Sequence, residues 1–350
     1  MDMRDRPELG RLTTAGANRH LPVHRWLRYK EAFSRDLAWL LLDEVRAGKG
    51  MAVLDPFCGT GTTLLACKEK GIRSYGADLN PIALTTSRAK TMDYDLNGLG
   101  KERKAIFSER AEKAPMPEEA GCVKEFFDRE TLDRLLFYRG LASKGGYRDF
   151  FLLALANAAY ECSRVARDGA VLRPAKKMFI PLVAAFKRNV KGMERDIKKS
   201  KFPAVKAEVM EADARSIPLK DKSVDAVITS PPYLGIEDYT TAYAIENFTV
   251  GGKIKNWLGR GGSKEAYFGD MLAVLKELKR VCRPKARMAM VMWDGFLDGR
   301  IVDTCEMMSN ISKRVGLNLE KIWVVNRKPA LAERTRKVGM LRESVLFLQV

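Results

Sequence analysis

Short apolar segments that alternate with helical patterns are the feature that constrains the fold of this chain most strongly. Met51–Leu54 and Arg73–Ala77 are strand-like, each is followed at once by an acidic residue, and a helical pattern comes next. A strand, a helix and a second strand in succession form the unit of a parallel sheet. The alternation returns after residue 204 with five more strand patterns, Val205–Val209, Val224–Thr229, Met288–Met292, Leu319–Val325 and Ser344–Leu348. The sequence therefore predicts an α/β fold with a seven-stranded, mostly parallel sheet.

The alternation is interrupted between residues 93 and 203, which predicts an insertion. Residues 93–125 are charged and contain two prolines, which is typical of a loop. Three helical patterns follow, at Thr131–Leu141, Tyr147–Arg167 and Arg188–Lys199. We therefore expect one α/β domain formed by residues 28–92 and 204–350, with a mostly helical insertion at 93–203.

The remaining segments predict an N-terminal arm and further helices of this domain. Residues 1–27 are polar and basic, and they predict an N-terminal arm. Apolar residues at helical spacing predict a first helix within residues 28–47 and later helices at Lys264–Val281 and Ile301–Val315. The basic stretch 331–342 is expected to connect the last two strands.

Positive charge is concentrated in two segments of the 350-residue chain, whose formal net charge is +18. Ser163–Lys206 has 13 basic and three acidic residues, and Lys321–Arg342 has seven basic and one acidic residue. Such runs favour a polyanionic partner, most commonly nucleic acid, over a solvated helix face. An anionic membrane surface is less favoured because the runs contain few tryptophans and phenylalanines. We expect phosphate contacts from Lys187, Arg188, Lys191, Arg334 and Arg336.

Cysteine and histidine usage excludes several kinds of site. The six cysteines form no CxxC pair, and His20 and His24 have no Cys or Glu close by in the sequence, so we expect no metal. No apolar run approaches the roughly 20 residues of a membrane span, and no secretory signal is recognisable, which predicts a cytoplasmic protein. A single glutamine beside abundant charged residues indicates a thermophilic source.

The first motif is the turn after Met51–Leu54, which reads Asp-Pro-Phe-Cys-Gly-Thr-Gly-Thr from Asp55 to Thr62. Gly59 and Gly61 allow the backbone to pass close to a ligand. The pattern lacks the third glycine of a dinucleotide fingerprint. An acid in front of the loop suits a cationic group, such as the amino group or sulfonium of S-adenosylmethionine (SAM). Asp78, at the next strand end, is placed to accept hydrogen bonds from ribose hydroxyls.

The second motif, Thr-Ser-Pro-Pro-Tyr at residues 229–233, directly follows an apolar strand. An exocyclic amine of a nucleobase is a weak nucleophile because its lone pair is delocalised into the ring. A hydroxyl such as that of Ser230 and the rigid carbonyl of Pro231 could both accept hydrogen bonds from this amine and free the lone pair. Tyr233 offers an aromatic face on which an extruded base could stack. This chemistry needs neither a histidine nor a covalent enzyme intermediate.

Together the two motifs resemble those of the SAM-dependent amino-methyltransferases of nucleic acids, with Ser-Pro-Pro-Tyr similar to the cytosine-N4 enzymes. The resemblance implies a Rossmann-like SAM-dependent methyltransferase fold. It also implies the catalytic residues Ser230, Pro231, Pro232 and Tyr233. The implied cofactor-binding residues are Lys30, Phe33, Ser34, Asp55, Pro56, Phe57, Gly59, Thr60, Gly61, Thr62, Asp78, Leu79, Asn80, Asp213 and Ala214.

The resemblance implies methylation of cytosine N4 in nucleic acid, and the insertion 93–203 is the expected substrate-recognition region. Since no DNA-reading domain is recognisable, we expect structured RNA such as ribosomal RNA, with site-specific DNA cytosine-N4 or adenine-N6 methylation as the alternative. A non-catalytic nucleic-acid-binding module is disfavoured because both motifs are intact. A protein-amide methyltransferase is disfavoured by Ser230, since related enzymes have Asn there, and by the net charge of +18.

Overall fold

The computed structural model describes residues 2–112, 115, 117–169, 171–235, 239–252, 263–332 and 336–350. Within these ranges no helix is long and apolar enough to cross a membrane. The strands, in chain order, are β1 (Asp2–Asp5), β2 (Ala52–Asp55), β3 (Arg73–Asp78), β4 (Val165–Asp168), β5 (Val171–Pro174), β6 (Ala207–Glu211), β7 (Val224–Thr229), β8 (Cys282–Trp293), β9 (Gly295–Leu297), β10 (Arg300–Val302), β11 (Asn318–Ala332) and β12 (Arg336–Gln349).

Eight of these strands form the central sheet, in the order β1-β11-β12-β8-β7-β2-β3-β6. All neighbours are parallel except β12, which is antiparallel to both β8 and β11. β4 with β5 and β9 with β10 form two small antiparallel hairpins. The expected α/β fold with a mostly parallel sheet is therefore confirmed, with one strand more than the seven predicted.

The chain order of the strands reverses beside β2. β3 and β6 lie on one side of β2, and β7 and β8 lie on the other. At such a switch point, the carboxyl ends of the neighbouring strands leave a crevice that can receive a ligand. Both sequence motifs begin at this edge, since one follows β2 and the other follows β7.

The additional strand comes from the N-terminal segment, which is not the separate arm that its composition predicts. Asp2–Asp5 pairs in parallel with β11, and Val23 and Trp26 are buried further along the segment. The four side chains of β1 are exposed. No apolar alternation therefore marks this strand in the sequence.

Helices cover both faces of the sheet and form the insertion. In chain order they are α1 (Arg35–Glu44), α2 (Thr62–Glu69), α3 (Pro81–Thr91), α4 (Leu96–Ser108), α5 (Arg129–Ala142), α6 (Arg148–Cys162), α7 (Leu182–Lys199), α8 (Tyr239–Ala242), α9 (Ala244–Val250), α10 (Lys264–Val281) and α11 (Thr304–Val315). Successive residues of β8 alternate between the apolar cluster that contains α1 and the one that contains α10 and α11. The sheet is thus buried on both faces, as parallel sheets usually are.

The insertion has a third apolar cluster, which joins it to the α/β domain. α5, α6 and α7 bury their apolar residues with Trp26 and Ile82 and with the apolar residues of α9. Residues 93–125 were expected to form a loop, but they contain α4, which Asp95 caps by accepting from two backbone amides. The helix expected over Tyr147–Arg167 ends at Cys162. The strand β4 follows and pairs with β5, and the side chain of Arg167 in β4 bonds to the Ala242 carbonyl and to Glu246, far along the sequence.

Three other element boundaries differ from the prediction. The helix expected within residues 28–47 begins only at α1, where the Ser34 hydroxyl accepts from the Leu37 amide at 3.1 Å. Residues 300–302 form β10 before α11 begins. The stretch 331–342 is not a connecting loop, because β11 extends to Ala332 and β12 begins at Arg336.

Candidate active site

A pocket lies at the carboxyl ends of β2, β3 and β7, and it brings both sequence motifs together. Its walls come from the segment before α1, the loops after these three strands and the loop after β6. The lining residues are Tyr29, Glu31, Ala32, Phe33, Asp55, Pro56, Phe57, Cys58, Gly59, Thr60, Thr62, Thr63, Asp78, Leu79, Asn80, Ala212, Asp213, Ala214, Ser230, Pro231, Pro232 and Tyr233.

The glycine-rich loop has a backbone conformation that only glycine adopts easily. Gly61 has a φ of 75° and caps the N-terminus of α2. A Cβ at this position would lie 2.8 Å from the Ser87 hydroxyl and 3.1 Å from the Ser87 Cα. The Ser87 hydroxyl also donates to the Gly59 carbonyl at 2.7 Å. Helix α3 therefore holds the loop against the end of β2, with Gly59 and Thr60 lining the pocket.

Asp55 connects the two motifs through its buried carboxylate. One oxygen accepts from the Thr229 hydroxyl at 2.7 Å and the Phe57 amide at 3.2 Å, and the other accepts from Thr63 at 2.6 Å. Burial raises the pKa of Asp55 to about 6. Since a carboxylate oxygen can accept about two hydrogen bonds, the oxygen bonded to Thr63 keeps one acceptor position for a ligand.

Asp78 holds the loop from the neighbouring strand. Its carboxylate accepts from the backbone amides of Gly59, Leu79 and Asn80, each at 2.8 Å. Burial raises the pKa of Asp78, although these amides favour the charged form. The oxygen that accepts from Gly59 has one acceptor position left. Asp78 therefore holds the loop in place and can still accept a hydrogen bond from a ligand hydroxyl.

Asp213 lines the pocket in the loop after β6. It forms an ion pair with Arg215 that the sequence pattern did not predict. Arg215 donates to both of its carboxylate oxygens, with a shortest distance of 2.6 Å, and also bonds to Asp270. Burial alone would raise the pKa of Asp213, but the hydrogen bonds from Arg215 outweigh burial and lower it. Ala212 and Ala214 line the pocket beside this fixed carboxylate.

The geometry of the second motif fixes the hydroxyl of Ser230. Its Oγ lies 3.2 Å from the carbonyl oxygen of Val291 and 3.1 Å from the Tyr233 hydroxyl. The single Ser230 proton serves either the Val291 carbonyl or the Tyr233 hydroxyl, and in both cases the serine oxygen can accept from other donors. The Pro232 carbonyl accepts from Tyr267 at 2.8 Å. Among the described residues, no hydrogen-bond donor reaches the Pro231 carbonyl.

Contacts missed by the sequence reasoning form the wall that precedes α1. The Tyr243 ring stacks on Tyr29 with 4.6 Å between centroids, and its hydroxyl bonds to Glu31 at 2.9 Å. Burial raises the pKa of Glu31. The one signal for Tyr243 in the sequence is its closeness to the second motif, which ends ten residues earlier at Tyr233. This contact fastens residues 29–33 to the chain that follows the second motif.

Three of the predicted cofactor-binding residues do not line the pocket. The Lys30 ammonium donates to the Gly169 carbonyl at 3.1 Å, in the β4–β5 hairpin. Ser34 is buried and caps α1, and Gly61 caps α2. These positions shape the walls of the pocket instead of facing its interior.

The predicted nucleic-acid contacts lie elsewhere. Lys187, Arg188 and Lys191 line a groove on α7, together with other basic residues of α4 and α7. Arg188 is paired with Glu161, and the Lys187 ammonium lies 5.3 Å from the centre of the Phe107 ring. Arg334 lies outside the described residues, and Arg336 begins β12.

Comparison with known proteins supports the resemblance seen in the motifs. Residues 22–88 match a family model described as DNA methylase. The chain is 25% identical to the Type II methyltransferase M.BsoBI of Geobacillus stearothermophilus, over 96% of the chain and 87% of the relative. It is 46% identical to M.AvaI of Nostoc sp. over 66 residues, which span 14% of that relative. A SAM-dependent methyltransferase structure from Methanosarcina mazei has a TM-score of 0.34, at 11% identity, over 85% of this chain and 91% of that one.

The family-model match and the Type II relatives agree with the SAM-dependent methyltransferase that the two motifs predict. The residues present suit the cofactor, because Asp55 and Asp78 each keep an acceptor position and the glycine loop leaves room beside them. Within this class, the family match and the Type II relatives confirm the resemblance to the N4/N6 amino-methyltransferases.

Proposed function

We propose that this protein transfers a methyl group from SAM to the N4 amino group of cytosine in DNA. The observation that carries the proposal is the position of Ser230. Its hydroxyl lies in the same pocket as the glycine loop, and its single proton is used by the Val291 carbonyl at 3.2 Å or the Tyr233 hydroxyl at 3.1 Å. Its lone pairs are therefore available to a substrate amine.

When bound, SAM supplies a methyl carbon that its sulfonium makes electrophilic. We assign its amino group to Asp55, its ribose hydroxyls to Asp78 and its adenine to the wall at Asp213 and Ala214. The remaining predicted cofactor contacts, such as Phe57 and Leu79, provide apolar surface in the same pocket. These roles follow from acceptor capacity and position, and each can be tested by binding.

Ser230 and Pro231 are assigned to the substrate nitrogen. Two acceptors that bond to the two amine hydrogens oppose delocalisation of the lone pair, so the nitrogen becomes a better nucleophile. The nitrogen that gains the methyl group releases one hydrogen as a proton to water. Tyr233 then provides the stacking surface for the extruded base, while its hydroxyl, 3.1 Å from Ser230, helps to orient the serine. Pro232 is held in place by Tyr267.

Ring-carbon methylation is the chemistry that these residues do not favour. It requires a cysteine thiolate as nucleophile. Cys58 lines the pocket, but burial raises its pKa well above the ordinary value, and its sulfur lies 3.8 Å from Ser87. The thiol therefore stays protonated and packs beneath the loop. An amine that attacks with its own lone pair needs no such thiolate.

The expectation of structured RNA as the substrate is not supported, and DNA replaces it in the proposal. The matching family model is described as DNA methylase, and the reported relatives are Type II methyltransferases. The recognition of a polyanion remains assigned to the basic segments, with the α7 groove as a phosphate-binding surface and the insertion as a contributor to substrate recognition. Cytosine N4 is preferred to adenine N6 as the methylated position because Ser230 directly precedes the two prolines of the second motif, as in the N4 enzymes that it resembles.

The proposal can be tested with purified protein and SAM that carries a radioactive methyl group. Duplex DNA and total RNA are incubated side by side, and the label that enters each polymer is counted. We expect label in DNA and little in RNA, and we expect Ser230→Ala to abolish most of it. Label in RNA alone would contradict the proposed substrate.

A further inference from the structure

The two last strands of the sheet form a projection, here called the ribbon, which consists of residues 326–332 and 336–342. Glu343 pairs with Trp293, the last residue of β8, so the residues before Glu343 extend past the carboxyl end of that strand. The pairing between β11 and β12 continues along the whole ribbon. At about 3.4 Å per residue, seven residues carry the ribbon about 24 Å beyond the sheet. It therefore projects from the same edge that holds the pocket.

The base of the ribbon is fastened by Arg342. Its guanidinium bonds to Asp294 at 2.9 Å and to Asp303 at 2.6 Å, and the Asp294 amide donates to the Arg342 carbonyl at 2.8 Å. Cys305 and these two acids lie close enough together to share a metal ion, but the guanidinium of Arg342 already supplies the positive charge at this position. The direction of the ribbon is thus set by a partly buried ion-pair cluster at the end of β8.

A chain of close contacts connects the ribbon to the second motif. Leu234 and Gly235 directly follow Tyr233 and pack on the β9–β10 hairpin. A Cβ on Gly235 would lie 3.0 Å from the Phe296 carbonyl, and one on Gly339 in the ribbon would lie 2.6 Å from Ile301 in the same hairpin. The β9–β10 hairpin therefore lies between the catalytic loop and the ribbon, in contact with both.

Residues 326–332 and 336–342 combine positive charge with exposed apolar side chains and include no acidic residue, while Glu333 lies in the segment between them. Lys328 and Lys337 are exposed. Leu331 is 45% exposed, Val338 38% and Met340 39%. Lysines suit phosphates, and apolar side chains suit the methyl groups of thymine.

We propose that the ribbon enters the major groove of double-helical DNA next to the base that is methylated. This inference rests on the proposed function and adds the recognition element. The major groove of B-form DNA, about 12 Å wide, admits a two-stranded β-ribbon. The major groove of A-form RNA is too deep and narrow for side chains to read. The ribbon therefore favours duplex DNA over duplex RNA on shape.

Fluorescence anisotropy with the full chain tests the inference without knowledge of a target sequence. The probes are a 30-base-pair mixed-sequence DNA duplex and the RNA duplex of the same sequence, each titrated at several salt concentrations. The test variant is Lys328→Ala with Lys337→Ala. The matched control is Lys313→Ala with Arg314→Ala, which removes the same charge at the end of α11, on the opposite edge of the sheet. Thermal melting checks that both variants fold.

We expect the ribbon variant to bind duplex DNA about tenfold more weakly, with a salt slope shallower by about 1–2, while the control binds like the parent. Methyl green, which occupies the major groove, should compete with the parent, and netropsin, which occupies the minor groove, should compete much less. Equal losses in both variants, or competition by netropsin alone, would overturn the inference and leave the proposed function intact. Preference for the RNA duplex would contradict the proposed function itself.

Discussion

Replacing Ser230 by alanine removes one hydrogen-bond acceptor from the reacting nitrogen and leaves the cofactor contacts in place. Loss of one preorganised polar partner in an active site costs about 2–4 kcal/mol of transition-state stabilisation, which is a rate about 30- to 1000-fold lower. The Val291 carbonyl, 3.2 Å from Ser230, also loses its donor. We therefore expect a smaller loss of about 1 kcal/mol in the free energy of unfolding.

The assay is single-turnover methylation of duplex DNA at saturating SAM, with SAM affinity measured separately by calorimetry. The matched control is Ser223→Ala. Ser223 directly precedes β7, at the opposite end of this strand from Ser230, and its hydroxyl donates to the Lys220 carbonyl at 2.6 Å. The control should lose little activity. A parent-like rate for Ser230→Ala, or a loss of SAM affinity as large as the loss of rate, would refute the assignment of Ser230 to the substrate amine.

Four further outcomes are expected. Asp78→Ala should weaken SAM binding by about 1–3 kcal/mol in calorimetry, since a charge-assisted bond is lost; unchanged affinity would remove Asp78 from the site. Lowering the pH through about 6 protonates Asp55, so SAM affinity should fall by up to about tenfold per pH unit, and Asp55→Asn should bind weakly with no such dependence. Because the folded pKa of Asp55 exceeds its ordinary value, its contribution to stability should decrease as the pH rises from about 4 to about 6, which urea unfolding of parent and Asp55→Asn can compare. Thr229→Val breaks the 2.7 Å bond between the two motifs, so it should lower the methylation rate more than SAM affinity; equal losses would indicate a purely structural role.

The parts of the fold that local sequence patterns encode were predictable. β7 and α10 begin and end at the predicted residues. In the sequence, β7 is a run of β-branched residues that ends just before two prolines. Ser263 caps α10 by accepting from the Ala266 amide. The pocket was predictable for a related reason. Its acids and glycines follow strand ends, and the carboxyl ends of parallel strands meet at one edge.

The parts that depend on distant contacts were not predictable. β1 is a polar strand that exists only because β11 offers an edge. The contact between Tyr29 and Tyr243 joins residues more than 200 positions apart. Residues 331–342 were expected to connect the last two strands because the stretch is basic and lacks the alternation of a half-buried strand. Such features arise from tertiary packing, which overrides local propensity.

The identity of the methylated base distinguishes cytosine-N4 methylation of DNA from the alternative reactions. Duplex DNA is incubated with the protein and SAM that carries a trideuterated methyl group, then digested to nucleosides for mass spectrometry. We expect a deuterated methyl group on N4 of deoxycytidine with the parent protein, and we expect this product to be absent with the Ser230→Ala variant. Methyl groups found only on the ring carbon of cytosine, or only on ribonucleosides when RNA is supplied, would contradict it.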